Sequence, residues 1–410
     1  MDYRAGLPGG MIADNIMIAH PQVVQHNVRY FGKIKKSMME LNGHFFRNRK
    51  IRLMFCFVVA AGYIFGFMDL VFHNDYERLH IFLFNLAAGG FVVMYLTENR
   101  DFPGFHSAAF LLISIVYSIS AYFHVYPASI ACSLALFIIV ESLRIRTFGF
   151  FPWIFFDAGG DVSRKFHQAS VLCLSIALLL SSMVILNNEY FFWIYLEKLN
   201  LNVFFLGYSF PISLITMSAM FSFAAYPKRP FFILFAHLFF WTVNLGVVLF
   251  FVFILLQMFV LEVVAASILA AAVISIFPFY IRYSAGSQQK RFLLSGMTFL
   301  LFTGITGIAY LFLGTMPLYY PEYGRVLLRT HAYLSLYGWN LSGLIIIIRW
   351  NDFPLRINSK AVILFHWAVI LSASISRIYE PAMALSMAGF LFLLSLLFSE
   401  KQGEKSRPLP

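Results

Sequence analysis

The chain has 410 residues, of which 60% are apolar and 12% charged, with a mean hydropathy of +0.77. One water-facing surface cannot accommodate that composition, so soluble globular and disordered classes are excluded and a lipid bilayer is the expected surrounding. The net charge of +11 is accounted for by orientation beside anionic lipid and calls for no nucleic-acid partner.

In chain order, residues 1–50 come first, a basic and amphipathic cytoplasmic segment. Val23, Val24, Val28, Phe31 and Ile34 set against Arg29, Lys33, Lys35 and Lys36 predict a helix lying on the inner leaflet. The stretch lacks the compact apolar run and cleavage site of a signal peptide, so insertion is expected to rely on the first span. Residues 51–398 form the transmembrane domain, and 399–410 a polar cytoplasmic tail. A span needs about 20 mostly apolar residues. Such runs fall near 52–72, 79–97, 105–124, 127–143, 167–187, 203–225, 230–254, 258–281, 291–314, 325–348, 360–378 and 381–398. The fold class expected is therefore all-α, a polytopic bundle of about 12 transmembrane helices with both termini cytoplasmic. Unbroken Phe, Leu, Ile and Val do not resemble the alternating strands of a closed barrel.

Charge tests the span count, because cytoplasmic loops collect Lys and Arg. With the N-terminus inside, only Arg78, Lys198, Arg325, Arg329 and Arg377 of the 30 basic residues fall outside. Inside lie Arg144 and Arg146, Arg164 and Lys165, Lys228 and Arg229, Lys290 and Arg291, and the tail. A bacterial inner membrane is the setting that this reading implies. Between the fourth and fifth spans, Phe150, Phe151, Trp153, Phe155 and Phe156 precede Gly159 and Gly160, a second interfacial stretch. Cys56, Cys132 and Cys173 lie inside spans without CxxC spacing and read as buried small residues. The short loops hold no GxxxxGK[ST], no GxGxxG in its proper setting and no nucleophile motif, so any chemistry belongs within the membrane.

Ionisable residues in a bilayer are costly and are read first as functional. His80 opens the second span and His331 the tenth, each within the pattern Arg-x-His-x-x-Leu, with Arg78 and Arg329 two residues upstream. Both spans begin at the outer face, so the histidines share a side and roughly a depth. Two neutral imidazoles across an interhelical gap are what axial ligation of a haem iron requires. Ser335, Gly338 and Ser342 follow His331, and Ala87, Ala88, Gly89 and Gly90 follow His80. Such small residues leave room for a flat macrocycle, or equally for close helix packing. The arginines suit haem propionates. Each histidine also reads as an interfacial residue with a single hydrogen bond.

The stretch Arg78 to Phe91, RLHIFLFNLAAGGF, resembles the histidine-bearing second span of the NnrS family. His331 to Leu355, HAYLSLYGWNLSGLIIIIRWNDFPL, resembles that family's later His-Ala span, and the next helix, closing at Ser376-Arg377-Ile378, matches in character. The resemblance implies a twelve-span haem-containing protein of electron transfer or of the nitric oxide and nitrosative stress response, with a redox partner protein or a small gas ligand. A b-type haem is expected, held by His80 and His331 with Arg78 and Arg329 beside the propionates. The span number is reminiscent of haem-copper oxidase subunit I, whose low-spin haem is held from spans two and ten. Copper is not expected, because 203–225 has no histidine and the seventh span has only His237. His237 and His366 fall near the inner face, away from the outer pair; Glu141, Glu262, Asn244, Asn85 and Asn340 are further buried polar candidates, Glu262 for proton transfer. Whether His237, His366 and Glu262 make a second site stays open. The competing reading is a transporter or a lipid-handling protein without a cofactor; the like stretches on spans two and ten are eight spans apart and give no half-to-half repeat.

Overall fold

The computed structural model describes residues 49–71, 76–100, 103–196, 198–199, 207–227, 229–284, 287–313, 321–349, 356–376 and 379–399. The expected surface helix in 1–50 and the polar tail lie outside these, apart from Arg49, Lys50 and Ser399. The described residues form helices and no strand; one isolated antiparallel bridge joins Ala224 to Ser284.

In chain order the helices are α1 (Arg49–Val71), α2, α3 (Phe105–Tyr122), α4 (Tyr126–Phe148), α5 (Val162–Leu186), α6 (Gly207–Phe223), α7 (Pro230–Leu255), α8 (Phe259–Tyr283), α9 (Gln288–Leu313), α10, α11 (Lys360–Ile375) and α12 (Pro381–Leu397). α2 is α-helical over Tyr76–Ile81, π-helical over Phe82–Gly90 and α-helical again over Phe91–Glu98. α10 repeats that plan, with Pro321–Tyr333, a π-helical Leu334–Asn340 and Leu341–Arg349. Nine of the described helices, α1 to α5 and α7 to α10, are long and apolar enough to cross a membrane. The remaining three, α6, α11 and α12, have 17, 16 and 17 residues and occupy the other expected positions.

Local chemistry explains the helix ends. Asp161 accepts from the backbone N–H groups of Ser163 and Arg164 at the start of α5, and Ser359 accepts from Val362 N–H at the start of α11. Proline opens α4, α7 and α12, where its missing N–H is no loss. The Glu98 carboxylate closes α2 by accepting from Gly104 N–H (2.8 Å), His106 N–H (3.0 Å) and the Ser107 hydroxyl (2.5 Å), which also starts α3. The expected interfacial stretch is a 3-10 turn, Trp153–Phe156, with Phe150, Trp153 and Phe156 exposed. Lys165 holds its base, donating to Phe155 O (2.9 Å) and Asp157 O (2.7 Å).

The bundle has a centre and a periphery. The apolar window of α2 is 100% buried within the chain and that of α10 83%, whereas α7 and α8 bury 17% each. α2 packs against α1, α3 and α6, and α10 against α9, α6 and α11. Small residues permit this. A Cβ on Gly89 would overlap Ile212 of α6, and one on Gly338 would lie 2.5 Å from the Phe299 ring of α9.

Candidate functional site

The site is built where α2 and α10 leave α-helical geometry. In each, the histidine stands in the last α-helical turn and a π-helical stretch follows, nine residues after Ile81 and seven after Tyr333. π-helical segments are uncommon and gather at functional positions. Their widened turns persist here because they are enclosed: every residue of Phe82–Gly90 is buried.

His80 is buried, 4% exposed, and its Nδ1 lies 2.8 Å from Gly62 O of α1 and 2.8 Å from the Tyr337 hydroxyl of α10. A carbonyl only accepts, so Nδ1 carries the ring hydrogen and Nε2 keeps its lone pair. His331 is held the same way: its Nδ1 lies 3.0 Å from Thr303 O of α9. Neither Nε2 has a hydrogen-bond partner among the described residues. A ring N–H tied to a backbone carbonyl, with the other nitrogen available, is the support that metal-bound histidines receive.

The two rings nevertheless pack on different faces of α10. His80 stacks beside Tyr333, centroids 6.0 Å apart, and near Tyr337 at 5.5 Å. Positions 331 and 333 point to opposite sides of a helix. His331 accordingly faces α9, where a Cβ on Gly307 would lie 3.1 Å from its Cε1. Gly338 and Ser342 continue that face against Phe299 and Gly296 of α9. The small residues after His80 likewise serve packing, Gly89 on Ile212 and Gly90 on Phe110 of α3.

The arginines part company too. Arg329 turns toward α1, donating to Gly66 O (3.3 Å) and lying over the rings of Phe67 (4.9 Å) and Tyr333 (5.3 Å). Arg78 turns the other way, its Nη1 3.5 Å from His124 Nδ1. The structure thus assembles His80, Arg329, Tyr63, Tyr333 and Tyr337, with Gly66 as the floor: a Cβ there would lie 2.7 Å from His80 Nδ1 and 2.9 Å from the Tyr333 hydroxyl. Tyr63 packs edge-on to Tyr337 and donates to or accepts from Ser386 at 2.5 Å. The tyrosines were missed by attention to histidine alone. The signal was present, since Arg329, Tyr333 and Tyr337 recur every four residues on one helical face.

His366 lies nearer this cluster than its place in the chain suggests. Its Nε2 is 2.7 Å from Tyr337 O, and its buried Nδ1 has no partner. The widened α10 turn brings that carbonyl within reach of α11. His237 instead meets Lys165, Nδ1 to Nζ 2.9 Å, at the opposite end of the bundle. Glu262 is buried in the first turn of α8. Glu141 pairs with Arg144 and accepts from Ser175 at 2.8 Å. Asn340 accepts from Ser213 at 2.9 Å and donates to the Ser209 hydroxyl at 3.2 Å; among the described residues Asn244 donates to Phe240 O of its own helix alone, and Asn85 Oδ1 is buried without a partner. Among the described residues no three His, Cys, Asp or Glu side chains cluster as a metal site; a haem, which needs one or two axial ligands, is a different demand.

No family model matches the chain, and neither a curated protein nor a solved structure shows significant similarity to it.

Proposed function

We propose that this multi-pass membrane protein binds a b-type haem through His80 and His331 and serves electron transfer or the handling of a small gas such as nitric oxide, as NnrS-like proteins do. The observation that carries the reading is the matched state of the two imidazoles: each sits on one of the two most enclosed helices, with Nδ1 tied to a neighbouring helix's carbonyl and Nε2 left for a metal. Bound haem would supply a one-electron centre and a gas ligand position. The chain's own part would be to fix the imidazoles, exclude water and offer Arg329 to a propionate. For one iron to take both imidazoles, Pro321–Tyr333 must turn about its axis, and the π-helical stretch behind it is where α10 can absorb that turn. The proposal includes twelve spans, cytoplasmic termini and a bacterial inner membrane, on the charge separation across the loops.

Optical spectra of purified protein expressed with ample haem, oxidised and reduced, decide the matter. A sharp Soret band lost in both His80→Ala and His331→Ala is the expected result. A band lost only in His80→Ala assigns a single ligand from α2, and no haem signal at all refutes the reading.

A further inference from the structure

α5 and its π-helical end, Asn187–Phe191, run unbroken from Val162 for 30 residues, about 45 Å at the helical rise. A bilayer with its headgroup regions is about 40–45 Å thick. Both ends of this helix carry exposed aromatic residues. Before its start stand Phe150, Trp153 and Phe156; at and past its end stand Tyr190, Phe191, Phe192, Trp193 and Tyr195, the last 92% exposed. Between the two groups Ile176, Leu180 and Met183 are exposed, three or four residues apart, and so form one apolar face that leads from helix to loop.

The group at the far end is folded, although most of it lies outside any helix. The Asn187 side-chain oxygen accepts from Ile194 N–H (2.8 Å) and its amide nitrogen donates to Ile194 O (2.7 Å), a paired bond that closes the loop between them. Phe192 N–H donates to Asn187 O (2.6 Å), and its backbone is left-handed, φ 53°, a conformation that a bulky residue keeps only where its surroundings impose it. Phe191 and Trp193 stack, with centroids 4.4 Å apart. The loop thus presents its rings. Tyr190–Tyr195 leave on the order of 700 Å² uncovered, at ~200 Å² for an aromatic side chain, more apolar surface than a water-facing patch ordinarily carries.

We propose that Tyr190–Tyr195 is a preformed wedge that lodges in the headgroup layer of a lipid leaflet and fixes the depth of α5. Lipid is the occupant because the patch continues an exposed apolar helix face and stands one bilayer thickness from a matching aromatic group. Its composition agrees: Tyr190, Trp193 and Tyr195 each join an apolar ring to a polar tip, and Asn188 and Glu189 adjoin them. Such rings prefer the boundary between hydrocarbon and water. Because the Asn187 clamp orders the loop beforehand, little conformational freedom is lost when the rings enter lipid.

Fluorescence of the full-length chain, reconstituted without haem in phosphatidylcholine vesicles, tests this. Trp193 is one of six tryptophans, so its share of the emission is the difference between wild type and Trp193→Phe. Bromine near the top of the acyl chains should quench that share about twofold more than bromine at the chain ends, since interfacial groups lie at the headgroup boundary. Asn187→Ala, measured against its own Trp193→Phe partner, should lower the anisotropy of the Trp193 share and flatten the depth preference. Stronger quenching from the chain ends, or quenching by aqueous iodide alone, overturns the proposal. Shielding from both quenchers also overturns it, and would place a second copy of the chain or another protein on the patch. Unchanged anisotropy in Asn187→Ala would overturn the preformed wedge. No haem is present, so the outcome is independent of the optical spectra.

Discussion

The α2/α10 pair and the α7–α8 hairpin reverse the rule of soluble proteins. The hairpin helices, only 17% buried, have a mean hydropathy of 2.5 each; α2 and α10, at 100% and 83%, have 1.8 and 1.2. The two most enclosed helices are thus less apolar than the exposed hairpin. Exposed apolar helices are compatible with contact to lipid, whereas buried His80, Tyr337 and Asn340 are tolerable where other helices supply partners. The polar groups that chemistry could use thus gather at the centre, and the hairpin presents an apolar surface compatible with lipid.

The largest expected contrast follows from packing. Gly66→Val forces carbon into the space of His80 and Tyr333 and should cost about 1–3 kcal/mol. Leu249→Ala, on an exposed face of α7, should stay within about 0.5 kcal/mol. Denaturant titration in mixed micelles measures both. Equal losses would break the comparison, and would mean that the outer face of α7 is covered by something other than lipid.

A smaller contrast sharpens it. Asn340→Ala removes bonds to Ser209 and Ser213 on α6, and interhelical hydrogen bonds in membranes contribute about 1 kcal/mol. Asn244→Ala removes only a bond to its own helix's Phe240 carbonyl and should leave stability near wild type. The same titration, run on both variants, checks whether the polar groups of the centre hold helices together while those of the hairpin do not.

Much of this was legible beforehand. Hydropathy located the nine helices that, among the described residues, are long and apolar enough to cross a membrane, because a span's length is dictated by the thickness of the bilayer, and the Arg-x-His pattern picked out the two most enclosed of them. The facing of the side chains was not legible. Sharing a side and a depth says nothing of azimuth: His80 turned to the Tyr333 and Tyr337 face, and His331 to α9. Sequence periodicity also assumes 3.6 residues per turn, and the π-helical stretches shift every position beyond them. The reach of His366 to Tyr337 depends on that widening.

The mildest effect lies at the rim, between the two regions. Asp161 caps α5 from a half-buried position, and burial pushes its carboxyl up to about 6 from an ordinary 3.8, against the hydrogen bonds from Ser163 and Arg164. The folded form thus holds the proton more tightly than the unfolded form, so stability falls as pH rises from about 4 to about 6 and is level above. Asn retains the cap and cannot ionise. Asp161→Asn should abolish that fall and, above pH ~6, exceed wild type by at most ~1 kcal/mol once partial solvation is allowed for. Thermal unfolding across pH ~4 to ~8 measures it. A wild-type curve that instead rises over the lower interval would show that the two backbone bonds outweigh burial, with Asp161 ionised throughout as an ordinary cap.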